Sequence, residues 1–287
     1  MARGLFVGLV TLDLIYLVED VPDRNQKQVA LDYVAAAGGP ATNAAMTFSD
    51  LGNEAQVLGV LGLHPIRELI LADVQPWGVT IVDLQPHRTD PPPTSSILVT
   101  QSTGERAVIS LNAVQSQADP VAIPPEVLSG VDVVLIDGHQ MRVSETIARQ
   151  AKAQNIPIVV DGGSWKPGFE RVLPEADFVI CSANFRPPGK ETIPDVLDYL
   201  EWLGVPHSAV TQGEQPIAYR SLGQSGEVAV PRVQTVDTLG AGDVFHGAFC
   251  HFCLQSEFTE ALTQAAQVAS RACTAFGTRS WMRPKPL

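Results

Sequence analysis

Between residues 131 and 213 the chain repeats one rhythm, a short apolar run followed by an amphipathic or polar stretch. VDVVLIDG (131–138), IPIVVDGG (156–163), ADFVICSAN (176–184) and HSAVTQG (207–213) are the runs. VSETIARQAKAQ (143–154) and IPDVLDYLEWLG (193–204) read as helices between them. A strand that is apolar on both of its faces has no side to give to water. It must be covered from above and below, which in practice means a parallel sheet between two helix layers. This rhythm predicts an α/β fold with a central, mostly parallel sheet flanked by helices, and it excludes a helical bundle or a β-sandwich.

The first third reads differently. Residues 4–10 form an apolar run suited to a buried strand, residues 28–34 alternate as a half-buried strand does, and residues 56–62 are strand-like. A glycine turn at Gly38-Gly39-Pro40 opens a helix that closes near Gly52, and a second helix runs from His64 to Gly78. The proline-rich stretch 83–94 reads as a linker. Beyond it, 95–101 and 106–112 flank a four-residue loop as a β-hairpin. A short hairpin over 216–221 and 226–233 and two helices near 241–256 and 258–276 complete the chain. The expectation is one domain over 1–287, with a small β-rich lid built from about 12–35 and 94–111.

Composition narrows the partners. The 31 acidic residues against 19 lysines and arginines leave a net charge of −12. That lacks the basic footprint of a nucleic-acid binder. A phosphorylated ligand remains compatible, because backbone N–H groups hold phosphate without net positive charge. Asp13 interrupts the early apolar run and no small-residue cleavage site follows, so a first strand is expected rather than a signal peptide. No uncharged apolar stretch approaches the ~20 residues of a membrane span. Cys181, Cys250, Cys253 and Cys273 make no disulfide pattern. The chain reads as cytoplasmic, with reduced thiols and no membrane partner.

The stretch VDTLGAGDVFHGAF (236–249) carries the most chemistry. Gly240-Ala241-Gly242 precede a helix and leave backbone N–H groups uncovered, an anion site reinforced by the helix dipole. Asp243 sits at that helix start. Either it caps the helix, or it takes a proton from a hydroxyl while the turn stabilises a transferring phosphoryl group. The stretch is neither a Walker P-loop nor a Rossmann fingerprint. The glycine pair at 38–39 permits close backbone approach to a ligand, and Asn43 offers both a donor and an acceptor. A carboxylate at Asp13 is costly unless exposed or paired, and a sugar hydroxyl pair is one partner. His139 projects from the carboxyl end of a strand, where open α/β sheets bind ligands. Lys27 and Arg106 fall in the lid, either as solvated surface charge or as contacts to a polar or anionic end of the ligand. Cys250 and Cys253, with His246 and His251 nearby, read as core packing, since a metal site needs four convergent ligands.

Taken in order, these residues resemble the PfkB (ribokinase-like) carbohydrate kinase family over nearly the whole chain. Asp13, GGPATNAA (38–45), GER (104–106), VTQG (210–213) and DTLGAGDVFHGAF (237–249) carry the resemblance, the last being the most specific. It implies a ribokinase-like fold and ATP-dependent phosphorylation of a sugar hydroxyl, with a ketose or furanose preferred. Asp243 would be the base and the backbone of Gly240, Ala241 and Gly242 the anion hole. Asp13, Gly38, Gly39 and Asn43 would contact the sugar, with Lys27, Arg106 and His139 as further candidates. Thr211, Gly213, Thr238, Gly240, Gly242, Ala275 and Gly277 would border the nucleotide. ATP and Mg²⁺ are the expected cofactors; Asp237 resembles a position that serves a monovalent-cation loop in some members, which leaves a K⁺ requirement open, and lid strands in the family often pair into homodimers.

The sequence departs from the family pattern twice. Asn184-Phe185-Arg186-Pro187 lacks the glutamate of N-x-x-E, which leaves the Mg²⁺ ligands unassigned. Gly59-Val60-Leu61-Gly62-Leu63-His64 replaces a G-x-x-G-x-D run. Two rival readings stay open: a nucleoside kinase of the same fold, and a catalytically weak sugar- or nucleotide-binding regulator.

Overall fold

The computed structural model describes residues 1–111 and 117–282. At its centre β1 (Arg3–Val7) lies between β4 (Glu54–Gly59) and β8 (Val133–Ile136), parallel to both. Parallel neighbours extend the sheet to β5 (Val79–Asp83) on one side and to β9 (Ile158–Gly162), β10 (Phe178–Ser182) and β11 (His207–Gln212) on the other. The antiparallel strands β12 (Gln215–Ser221) and β13 (Gln224–Val228) finish it, so the nine-stranded order is β13-β12-β11-β10-β9-β8-β1-β4-β5. A second, four-stranded sheet has the order β3 (Asp32–Gly38), β2 (Thr11–Val18), β6 (Thr94–Thr100) and β7 (Arg106–Ser110), antiparallel except for β2 with β6.

The continuous apolar strands now have a physical account. Successive side chains point to opposite faces. Phe6, Leu135, Val159 and Ile180 pack into one core with α1 (Pro40–Asp50), α2 (Ile66–Val74), α6 (Ala241–Phe252) and α7 (Phe258–Ala272). Leu5, Val134, Ile136, Val160 and Val179 pack into the other with α3 (Met141–Ala153), α4 (Phe169–Val172) and α5 (Ile193–Trp202). Each fully buried Leu, Ile, Val or Phe contributes about 1.5–3 kcal/mol, and both faces of the sheet are paved with them.

Several expected boundaries move. The apolar run 4–10 does not stay one strand: β1 ends at Val7, and the chain leaves the sheet to form β2 in the lid. A Cβ at Gly8 would lie 2.1 Å from the Asp137 carboxylate, so that carboxylate occupies the space where the strand would continue. The strand expected at 28–34 lies at 32–38. Val29 and Leu31, which made the alternation, are 81% and 46% exposed, whereas Ala36 and Ala37 are buried beside β2. The helix expected over 64–78 spans Ile66–Val74, and those expected to reach 256 and 276 stop at Phe252 and Ala272. The last hairpin strand ends at Val228 rather than 233. Strand β5, hidden before the proline-rich stretch, is held by Asp83, which accepts the Leu61 and Gly62 N–H groups. Asn112, the last residue of an expected lid strand, lies outside the described residues.

Strand order runs away from β1 in both directions, so a crevice opens at the carboxyl ends of β1 and β8. Asp137, one residue past β8, is buried there and accepts N–H groups from Leu9 (2.9 Å), Ala41 (3.1 Å) and His139 (2.8 Å). Burial pushes its carboxyl up, but His139 and the backbone donors outweigh that and hold it below the usual carboxylate range. Asp137→Ala leaves these donors unpaired in the interior at about 1–3 kcal/mol each. Urea unfolding is expected to show a loss of at least about 3 kcal/mol; a loss under about 1 kcal/mol contradicts this account.

Candidate active site at the sheet crevice

Above the crevice the chain brings three segments together. The first is β2, whose third residue, Asp13, is buried with its Oδ1 accepting from the Thr11 hydroxyl (2.9 Å). The second is the Gly38-Gly39 turn into α1. A Cβ at Gly38 would lie 1.9 Å from Asp13 Oδ2, and one at Gly39, where φ is 97°, would lie 2.3 Å from the Leu9 carbonyl oxygen. The pair therefore admits the strand β2 and its carboxylate, rather than a ligand alone. Asn43, in the first turn of α1, donates through Nδ2 to Asp243 Oδ2 at 2.8 Å.

The third segment is the loop into α6. Asp237 is buried and clasps it, accepting the Leu239 N–H (2.8 Å) with one oxygen and the Gly277 N–H (2.9 Å) with the other. Gly240 enters the helix with φ 70° and no side-chain cap. The Ala241 N–H already reaches Thr238 O at 3.3 Å. By position, the N–H groups of Gly242 and Asp243 have no helical acceptor, and a Cβ at Gly242 would meet nothing within 4 Å. The turn is therefore open where Gly242 lies.

Asp243 is half-buried, and its carboxyl is pushed up to about 7. Burial is the main cause, reinforced by the carboxylates of Asp161 and Asp13 and opposed by the Asn43 hydrogen bond and by His246. Burial likewise raises Asp13, against the Thr11 and Ser95 hydroxyls and Arg279. A carboxylate poised near neutrality and facing a cavity is suited to accept a proton from a hydroxyl.

A cavity of about 780 Å³ lies over these groups. Asp13, Gly39, Asn43, His139 and Asp243, all expected from the sequence, line it. Gly38 lies against Asp13. Lys27 is exposed in the loop between β2 and β3 and does not line the cavity. Arg106 does not line it either. From β7 it donates to the Thr238 hydroxyl (3.1 Å) and carbonyl (3.2 Å), tying the lid to the loop before α6. Thr211, at the end of β11, donates to Cys181 O at 3.3 Å, and Gly213 turns the chain with φ 64° and open space around it. Ala275 packs on the core beside Gly277. Asn184 is exposed, and Pro187, at the position of the absent glutamate, is buried. Cys250 is buried in the core, and no group of three metal-ligating side chains occurs among the described residues.

Sequence reading passed over several residues. Asp137 carried the signal that flagged His139, a polar residue at a strand's carboxyl end. Trp165 and Lys166 enter the cavity from the loop after β9. His246, which the sequence places in the core beside the 240–243 turn, is buried and spans α6 and β10, with Nδ1 2.7 Å from Gly242 O, Nε2 3.1 Å from Ile180 O, and Asp161 3.6 Å away. Arg279 gave no sequence signal, yet it reaches Asn43 Oδ1 at 3.0 Å.

The raised carboxyl of Asp243 has a stability signature. Its folded-state value lies above the ordinary 3.8, so stability present at low pH is lost as pH rises through about 7. Asp243→Asn removes that loss. Thermal unfolding is expected to show the variant more stable than the native protein at pH 8, with the gap closing near pH 4; identical midpoints at pH 8 contradict the assignment.

Residues 1–286 match the pattern described as pfkB family carbohydrate kinase. Ketohexokinase of Mus musculus is 24% identical over 290 residues, covering 94% of this chain and 95% of that protein. Ribokinase of Bacillus subtilis (strain 168) is 25% identical over 286 residues, covering 96% and 94%. Among solved structures, a putative ribokinase from Agrobacterium tumefaciens superposes with TM-score 0.88 and 26% identity over 98% of this chain and 94% of that one. Arabidopsis thaliana ribokinase complexed with ribose and ATP superposes with TM-score 0.78 and 20% identity over 98% and 96%, a likeness of fold. No helix among the described residues is long and apolar enough to cross a membrane. With the open glycine turn, the carboxylate beside it and the crevice at the strand reversal in place, the match over residues 1–286 means that this chain belongs to the pfkB family of carbohydrate kinases.

Proposed function

We propose that the protein transfers the γ-phosphoryl group of ATP to a hydroxyl of a small sugar, a ketose or furanose by preference. The observation that carries this reading is Asp243, a carboxylate at about 7 set beside the uncapped start of α6 and facing the same cavity as Asp13 and Asn43. Asp13 and Asn43 orient the acceptor, and Asp243 accepts the proton of the attacking hydroxyl as the hydroxyl oxygen bonds to the γ-phosphorus and the bond to the bridging oxygen breaks, that oxygen leaving with ADP. The N–H groups of Gly242 and Asp243, at the positive end of the helix dipole, face the charge that builds on the transferring group. The sugar-kinase names of the ketohexokinase and ribokinase relatives, and the ribose and ATP of the Arabidopsis structure, support a sugar acceptor and an ATP donor.

Mg²⁺ bound with the nucleotide would neutralise phosphate charge. This chain offers buried Pro187 rather than a carboxylate at the family's glutamate position, so no step is assigned through the ion. Both oxygens of Asp237 are engaged by backbone N–H groups, which gives that residue a role in the loop without K⁺. One observation favours a second reading: Trp165, half-buried and lining the cavity, offers an aromatic ring to a nucleoside base. The lid aromatics Tyr16 and Tyr33 pair with each other at 5.1 Å and do not line the cavity.

The test is ADP release against ketoses, aldoses, phosphosugars and nucleosides with Mg²⁺, with and without K⁺. A sugar is expected to turn over, with activity falling below pH 7 as Asp243 protonates. Asp243→Asn is expected to stay folded and lose about 10²–10⁴-fold. Turnover retained in that variant removes Asp243 as the base. A nucleoside as the sole acceptor establishes the second reading, and silence from protein that binds ATP and sugar indicates a regulator.

A further inference from the structure

Arg279 lies beyond α7, outside the cavity lining, yet its guanidinium is enclosed by protein. Nη2 donates to Ala37 O at 2.6 Å and lies 3.5 Å from Asp73 Oδ2. Asp73, on α2, also accepts the Ala37 N–H at 2.9 Å, so α2 and the end of β3 clamp one arm of the fork. The other arm, Nη1, donates to Asn43 Oδ1 at 3.0 Å. Asn43 Nδ2 then points to Asp243 Oδ2 at 2.8 Å.

We propose that Arg279 is a positioning residue for Asp243, acting by holding the Asn43 amide in one orientation with its N–H end on the carboxylate. A guanidinium has donors and no acceptor, so only the oxygen end of the amide can face it. The nitrogen end is then committed to Asp243 whatever the protonation state there. Without Arg279, a protonated Asp243 could donate to a flipped Oδ1, and that flip would stabilise the proton. Arg279 removes this alternative and favours the proton-accepting form. Asn43 keeps its second Nδ2 hydrogen for the acceptor, while its oxygen is turned to Arg279. This refines the sequence expectation of a donor and acceptor at that position, and it rests on Asp243 serving as the base.

The groups around Asp243 come from every packed element: Asp161 from β9, His246 from α6, Asp13 from β2, Asn43 from α1, and Arg279. Arg279 couples to Asp13, Asp73 and Asp243, so its charge acts in the same direction as the amide it holds.

The test needs no substrate. Carboxyl ¹³C NMR of Asp-labelled protein follows the Asp243 titration, with the signal identified by its absence in Asp243→Asn. Arg279→Met is expected to move the Asp243 midpoint up by about one unit and to make the Asn43 amide resonances shift with that same titration. A folded Arg279→Met with an unmoved midpoint overturns the proposal. Should that variant not fold, Arg279→Gln decides, because its amide keeps a polar end that can both donate and accept and so no longer fixes the orientation of Asn43. Asn43 amide resonances that now follow the titration support the proposal, and unchanged ones overturn it. In turnover assays the acid limb of kcat should move with the NMR midpoint. An absence of turnover in the native protein would count against the kinase reading while leaving the NMR result to decide the role of Arg279.

Discussion

A buried carboxylate at the point where the strand order reverses holds the site in register. Asp137 takes N–H groups from the loop after β1, the start of α1 and its own strand end. Removing those donors from water is costly unless they are paired, and one carboxylate pairs them together. The same carboxylate fills the space over Gly8. The chain is turned off the large sheet there, and β2 begins the lid. Crevice, lid and the first turn of α1 thus share one anchor.

Charge in the site is balanced locally rather than by the net charge of the chain. Burial, Asp161 and Asp13 raise Asp243, while Asn43 and His246 work against that rise. Like charges in a region of low dielectric cannot all ionise freely. The outcome is a carboxyl near neutrality beside the uncapped start of α6. Glycines allow this crowding, because a side chain at Gly38 would displace Asp13 and one at Gly39 would strike Leu9.

The small sheet and the loop that opens α6 are joined through backbone and side chain. Arg106 reaches from β7 to Thr238, and a Cβ at Gly104 would lie 3.0 Å from the Val236 carbonyl oxygen. Asp237 then fastens that loop to Gly277. The hairpin of the small sheet and the loop that opens α6 are thus in direct contact.

Local pattern was enough to determine the layered sheet, because each apolar strand from 131 onward needs cover on both faces wherever it sits. It also determined the glycine turn with Asp243, because helix starts and glycine conformations are properties of neighbouring residues. Tertiary structure decided the rest. The break after Val7 depends on a carboxylate 130 residues away in the chain. β3 is set by its pairing with β2, which overrode the alternation of Val29 and Leu31. Arg279 joins Asn43 across 236 positions, and no periodicity or spacing encodes a contact of that separation. Long-range polar partners are selected by geometry after the chain is packed, and for that reason Asp243, Asn43 and Asp13 were legible in the sequence one by one while the hold of Arg279 on Asn43 and the effect of Asp161 on Asp243 were not.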